Sequence, residues 1–391
     1  MKLSIPLFLA RKDLFQDKKI FSLIIMAVVF GVGIQIPNAA NLDGSNEAIF
    51  SRTVNVMSGH LTIQNPNGTD LTKVKENEAI LDNFSWVRGH TARTYMPGIV
   101  THEERASGMD IIGIYPDKEK IISKLHVFLV EGKFLDENEK GEQQNVTVLG
   151  DEFAKKLDVK VGDNVQITFK GEYTILFKVI GILNIGIGGV DERTVFVYKS
   201  FLDTLFGFKN RATEILVKTE DPYKAEDYKK MLEKKLVEGE VLSWKEKMNY
   251  VEDIIHANGR VKLISQIMTI VGVLVPVTVL MYVNVKNRHR EIGILIATGT
   301  DTKTIFLTFL FEAILIGVIG CSGGVALGLL ISLYFEHYPV VDRPNFVVTP
   351  LVSFSSVFWP FLSIFISTIA SAIVPAYKAS RINPIKAIWG E

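Results

Sequence analysis

The chain has 391 residues, 48% of them apolar, and its 43 basic and 43 acidic side chains cancel. That balance excludes the broad positive field a nucleic-acid binder presents. The lone cysteine, Cys321, excludes an intrachain disulfide or a thiolate metal cluster within the chain. A mean hydropathy of +0.23 is high for a soluble protein and low for one built of membrane helices alone, so a mixture of the two is expected.

Residues 1–20 form a cytoplasmic amphipathic lead. Leu7, Phe8, Ala10, Leu14 and Phe15 give it an apolar helical face among Lys2, Arg11, Lys12, Lys18 and Lys19, which suits a helix on a membrane surface. Residues 21–40 carry no charge and match the roughly 20 apolar residues a bilayer core requires of a helix, so they are the first predicted span. A basic lead before an apolar run also describes a signal peptide. Pro37-Asn38-Ala39-Ala40 lacks a clean small-x-small cleavage pattern and the lead is long, which favours a retained anchor.

Residues 41–260 read as a folded α+β domain. His60 to Gln64 alternates and ends near Pro66, as a half-buried strand does. Asp151 to Leu157 reads as a short helix. Asn164 to Phe169 and Tyr173 to Leu183 read as strands joined at Lys170-Gly171-Glu172 in a hairpin. Thr194 to Tyr198 and Glu214 to Lys218 are further strands. A helix is predicted from Asp221-Pro222, because aspartate caps free first-turn amides and proline suits the first helical position. Its apolar face is Ala225, Tyr228, Leu232 and Leu236. Trp244 to Val261 is expected to run as a helix into the next span.

This domain shows no catalytic constellation. His60, His90, His102, His126 and His256 stand in no metal-ligand spacing, and His102-Glu103-Glu104 reads as a solvated loop. There is no nucleophile elbow. Asn67-Gly68-Thr69 fits a glycosylation sequon, a three-residue match that arises often by chance. A binding or conduit module is expected, with no catalytic residue and no metal ligand.

Three further spans follow at residues 261–285, 305–335 and 353–377; the second is uncharged from Leu263 to Val285, the fourth is uncharged throughout, and Glu312 is the one charge in the third. They leave a loop at 286–304, a loop at 336–352 and a tail at 378–391. Lys286, Arg288, Arg290 and Lys303 lie in the first loop and Lys378, Arg381 and Lys386 in the tail, whereas the second loop holds only Arg343. This bias, with the basic lead, places both termini and 286–304 in the cytoplasm and residues 41–260 and 336–352 outside. The fold class is an α-helical membrane protein with four transmembrane helices and a large extracytoplasmic α+β domain between helices one and two. Pro276 and Pro360 are candidate kinks. Gly317, Gly320, Gly324 and Gly328 form a small-residue stripe, for packing within the chain or for a dimer interface. Glu312, near the cytoplasmic edge, is expected to snorkel or hydrogen-bond rather than carry protons.

The chain has no phosphate loop: Gly299 to Thr304 lacks the second glycine and follows no strand. With Glu312 alone, an ion-coupled carrier is disfavoured, and an external ATPase is the simplest energy source. In the 286–304 loop Ile292, Leu295 and Ile296 share one helical face, while Gly293 and Ala297 allow close backbone approach on another. Spacing alone leaves two readings: a stiff helix that passes a push from a soluble partner, or an interfacial turn.

The run Arg290-Glu291-Ile292-Gly293-Ile294-Leu295-Ile296-Ala297-Thr298-Gly299 resembles the R-E-I-G-I-x-x-A-x-G signature of FtsX-like permeases, the type VII ABC group that includes MacB, LolC and LolE. Phe309 to Gly317 looks like the start of that family's third span, and Pro375 to Ile388 is similar to its tail. Ser58 to Pro66 and Leu149 to Asp163 resemble stretches of its outer, MacB-like periplasmic core domain. The span order matches over the whole chain. The lead, Arg11 to Lys19, departs from the usual pattern, and a separate ATPase subunit, as with LolC and LolE rather than the fused one of MacB, is expected. The resemblance implies a stand-alone, non-catalytic permease of the inner (cytoplasmic) membrane, with no cofactor of its own. Two such chains, identical or paralogous, pair above two cytoplasmic ATPases that hold ATP and Mg. Arg290, Glu291, Ile292, Gly293, Ile294, Leu295, Ala297 and Gly299 are the implied ATPase-coupling residues. The implied activity is mechanotransmission to the outer domain for export or extraction of a lipoprotein, lipid or other hydrophobic substrate. A signalling scaffold acting on an extracytoplasmic partner, as in FtsX itself, is the alternative.

Overall fold

The computed structural model describes residues 4–16, 18–137, 145–343, 346–383, 385 and 387. The chain opens with α1 (Ser4–Gln16) and α2 (Lys18–Ile49), and α2 passes into a π-helical segment, Phe50–Ser58. The inserted elements are β1 (Leu61–Gln64), α3 (Val74–Leu81), β2 (Val87–His102), β3 (Arg105–Ile114), α4 (Pro116–Ile122), β4 (Leu129–Gly132), β5 (Val146–Gly150), α5 (Asp151–Leu157), β6 (Asn164–Phe169), β7 (Tyr173–Leu183), α6 (Gly188–Asp191), β8 (Thr194–Tyr198), α7 (Lys199–Phe206), β9 (Glu214–Thr219), α8 (Ala225–Glu233), β10 (Glu240–Ser243) and α9 (Trp244–Lys247). Then come α10 (Asn249–Asn287), α11 (His289–Ala297), α12 (Thr302–His337), the short pair β11 (Val341–Arg343) and β12 (Phe346–Val348), and α13 (Phe354–Ser380).

Contacts divide the chain into two units. The inserted unit, Glu47–Ile255 with Asp342–Val347, holds a mixed ten-stranded sheet. Its order is β10-β1-β9-β2-β3-β8-β5-β7-β4, with β6 paired to β2 and β7. The β6–β7 hairpin closes where the sequence predicts it, since Lys170 (φ 47°) and Gly171 (φ 75°) take the left-handed conformation that tight hairpin turns demand. Helix α5 has the predicted bounds and buries Phe153, Ala154 and Leu157.

The helix expected from Asp221 is shorter and later than its pattern suggests. Asp221 does cap, its carboxylate accepting from the Tyr223 amide at 2.9 Å, but the first turn is 3₁₀. Helix α8 stops at Glu233, so Leu236 packs on the core from beyond its end. Met248 (φ −122°, ψ 48°) likewise interrupts the helix expected to run on from Trp244.

Strands β2 and β3, the spine of the sheet, escape the sequence reading. His102-Glu103-Glu104 is not a loop of its own but part of their tight turn, with Glu103 at φ 53°. Thr91, Ala92, Arg93 and Thr94 are all buried, so no apolar–polar alternation marks the strand. Arg93 makes a bidentate pair with Glu119 of α4 at 2.8 and 2.7 Å and donates to the Val56 carbonyl at 2.7 Å. Thr91 and Ser123 donate to the same carboxylate. The two residues are 1% and 0% exposed, and each charge is compensated where it lies.

In the helical unit, α2, α10, α12 and α13 are each long and apolar enough to cross a membrane. Phe21, Ile24, Val28, Val32 and Ile36 of α2 share a core with Phe309, Ala313 and Ile316 of α12 and Ile364, Ala372 and Ala376 of α13. On α1, Ala10 is buried and Leu14 packs on this core, while Leu7 and Phe8 stay exposed.

Candidate functional site

The most distinctive local construction is α11. Gly299, at φ +94°, ends it: the Gly299 amide donates to the Ile296 carbonyl and the Thr300 amide to the Leu295 carbonyl, both at 3.0 Å. Those two bonds are a Schellman stop, which needs a left-handed residue at this position. Asp301 then caps α12, its carboxylate accepting from the Lys303 amide at 3.3 Å. A rigid helix thus turns into the next span within a few residues.

The faces of α11 are split. Ile292 and Gly293 are buried and Ile296 packs on the core, whereas Arg290, Glu291, Ile294, Ala297 and Gly299 are exposed and Leu295 is half-buried. Gly293 and Ala297 therefore do not form one close-packing face as their spacing suggests: Gly293 points into the bundle and Ala297 to the surface. Of the residues predicted to meet an ATPase, Ile292 and Gly293 are inward anchors. Ile294, an aliphatic side chain 47% exposed between charges, stands out on the outward face.

Beneath α11 lies a buried charge cluster. Arg288 pairs with Asp13 of α1 at 2.7 Å, with Glu312 of α12 at 3.2 Å and with Glu291 at 3.4 Å, and its guanidinium lies 5.9 Å from the centre of the Phe309 ring. Asn284 donates to Glu312 at 3.3 Å. Glu312 does not snorkel: it is 0% exposed, because Arg288 reaches in to meet it. Asp13 Oδ2 and Asn284 Oδ1 are buried without a hydrogen-bond partner among the described residues. Sequence reading missed Asp13 and Arg288 as site residues. The one signal was a lone acid inside a span, which demands a partner.

The glycine stripe is filled within the chain. Added methyl groups would lie 2.8 Å from Val28 at Gly320, 2.6 Å from Val32 at Gly324 and 2.9 Å from Ile36 at Gly328, all on α2, and 2.9 Å from Phe365 of α13 at Gly317. All four glycines are buried. Within the chain the stripe lets α12 pack closely on α2 and α13. The spans also carry polar bonds away from Glu312: Gln35 (1% exposed) bonds Gln266 at 3.1 Å, Ser265 at 3.2 Å and Thr269 at 3.0 Å, and Asn38 donates to Ser265 at 2.8 Å.

Two family models cover most of the chain. Residues 21–235 match the MacB-like periplasmic core domain and residues 263–384 the FtsX-like permease C-terminal domain. The chain belongs to the FtsX-like permeases that carry a MacB-like core domain. The permease is 25% identical over 388 residues to the macrolide export ATP-binding/permease protein MacB of Neisseria meningitidis, covering 94% of this chain and 58% of that protein. It thus spans little more than half the length of such relatives. It is 26% identical over 275 residues to an uncharacterized ABC transporter permease of Methanocaldococcus jannaschii, covering 67% of this chain and 65% of the relative. Among solved structures, the periplasmic region of MacB from Actinobacillus actinomycetemcomitans matches 49% of the permease and 92% of that chain, at 18% identity and a TM-score of 0.38. The permease is a multi-pass membrane protein of the ABC transporter class.

Proposed function

We propose that the permease is the non-catalytic half of an ABC machine and that α11 is where an ATPase pushes. The observation that carries this reading is the construction of α11: a stopped, rigid helix with an exposed Arg290-Glu291-Ile294-Ala297 surface, anchored inward by Ile292 and Gly293 and tied through Arg288 to α1 and α12. Force on such a helix moves the ends of the spans together rather than bending a loop. Two ATPase copies supply ATP and Mg, and a second permease, identical or paralogous, completes the assembly. Both termini and α11 lie on the cytoplasmic side of the cell membrane and the inserted unit outside, following the basic-residue bias. The output is movement of the inserted unit, and the cargo class is a hydrophobic molecule or lipoprotein.

The test is affinity purification in mild detergent with an ATPase assay on the eluate. The expected partner is a Walker-motif protein. Its retention falls about thirtyfold with Ile294→Glu and falls with Glu291→Lys, the loss expected when a central contact is removed. Both side chains are exposed, so the permease itself stays folded. A stable permease with no nucleotide-binding partner and no ATPase activity sinks the assignment. Stimulation of the ATPase by a hydrophobic substrate separates transport from a signalling scaffold.

A further inference from the structure

At the same end of the helical unit, where α12 begins and α13 ends, lies an open groove of about 820 Å³. Its walls are Phe306, Leu307, Tyr377 and Ile382, and Lys303 and Arg381 stand over it. Neither cation has an ion pair among the described residues; Arg381 lies 4.7 Å from the centre of the Tyr377 ring. The nearest acid along α12, Asp301, already accepts from the Lys303 amide and the Thr302 hydroxyl. One turn further into α13, Ile373 (47% exposed) and Val374 (58% exposed) continue the apolar wall along the span. Groove and wall together present two positive charges with no ion pair among the described residues, then an aromatic ring, then an aliphatic track.

We infer that this groove holds the headgroup of an anionic phospholipid, with an acyl chain lying along Ile373 and Val374. A soluble phosphate ester satisfies the cations but leaves the aliphatic track in water. A neutral lipid covers the track but leaves the cations unpaired. An anionic lipid does both, and basic pockets between membrane helices suit such headgroups. The leaflet rests on the orientation proposed above; the chemistry of the groove does not.

The test is native mass spectrometry of the full chain, delipidated and titrated with phosphatidylglycerol or phosphatidylcholine, with no ATPase present. The expected result is preferential retention of phosphatidylglycerol. It weakens about thirtyfold in the Lys303→Gln, Arg381→Gln double variant, since each charge at an anionic surface is worth roughly fivefold. Lys286→Gln, exposed and outside the groove, leaves retention unchanged. Glycerol 3-phosphate, the headgroup chemistry without the chains, does not compete. Equal retention of the two lipids, full competition by glycerol 3-phosphate, or a double variant that keeps phosphatidylglycerol as tightly as the unsubstituted chain each overturns the inference. Preferential retention by a permease with no ATPase partner leaves the groove standing while removing the proposed function.

Discussion

Both units set an arginine against a buried glutamate, and they do it differently. In the inserted unit Arg93 and Glu119 match one to one, and neighbouring groups fill the remaining hydrogen-bonding positions. In the helical unit one guanidinium, Arg288, serves Asp13, Glu312 and Glu291, and two buried oxygens nearby have no hydrogen-bond partner among the described residues. A closed polar network fixes one geometry, whereas a partly satisfied one leaves less to lose on rearrangement. The first ties β2 to α4 in one arrangement; the second joins α1, α11 and α12 through a single shared cation.

The largest expected effect comes from opening the closed network. Glu119→Ala leaves Arg93 buried without a counter-charge, and the inserted unit loses about 3–5 kcal/mol. Hydrogen exchange of the full chain reads this as lost protection in β2 and α4. Unchanged protection there removes the pair from any structural role.

In the helical unit the comparison predicts asymmetry. Arg288→Ala strands two carboxyl groups and costs about 3 kcal/mol. Glu312→Gln removes one surplus acid, keeps the shape and costs about 1 kcal/mol or less. Thermal unfolding in detergent measures both. If the two cost the same, the helical cluster is as closed as the inserted one and the contrast fails.

Packing gives the next step down. Gly324→Leu forces Val32 and the Val29 backbone aside, at about 1–3 kcal/mol. A methyl group added at Gly272 of α10 would meet nothing within 4 Å beyond its own helix among the described residues, so Gly272→Ala is expected to be neutral or to stabilise by up to about 1 kcal/mol through helix propensity. Equal losses at the two sites would mean that close approach to α2 is not what α12 needs glycine for.

The same contrast explains what was legible in the sequence. The spans announce themselves because every residue facing lipid must be apolar, and the β6–β7 hairpin because its turn residues have few alternatives. Gly299 is legible as part of a signature, yet its work as a helix stop appears only with the backbone. Strand β2 was hidden because its core face carries Thr91 and Arg93, polar residues made tolerable by Glu119, more than twenty positions away in sequence. Asp13 looked like part of a charged lead, and nothing local says it reaches Arg288. The polar seam around Gln35 was hidden by averaging: a few amides and hydroxyls barely lower the hydropathy of a span. Sequence pattern reports what each residue meets on average, and these are residues whose partner is one particular side chain.

The smallest effect concerns a partly exposed charge network in the inserted unit, intermediate between the two extremes. His90 sits between Glu78 at 3.2 Å and Asp82 at 2.9 Å, and Lys118 also meets Glu78 at 2.8 Å. Burial opposes the imidazolium, but the two carboxylates outweigh it and raise the His90 pKa above 6.5. Burial also opposes the Glu78 charge, and His90 and Lys118 outweigh it, holding that carboxyl down to about 2. The His90 contribution to stability is therefore fully present below pH 6.5 and is lost as pH rises through its raised folded value. The Glu78 contribution is present above pH 4.5 and is lost as pH falls through about 2. Hydrogen exchange at α3 across that range should show protection falling as pH rises above 6.5. His90→Gln should flatten that arm and leave the acid arm, because Lys118 still holds Glu78. A variant that flattened both arms would mean that His90 alone carries the network and that Lys118 contributes only a surface contact.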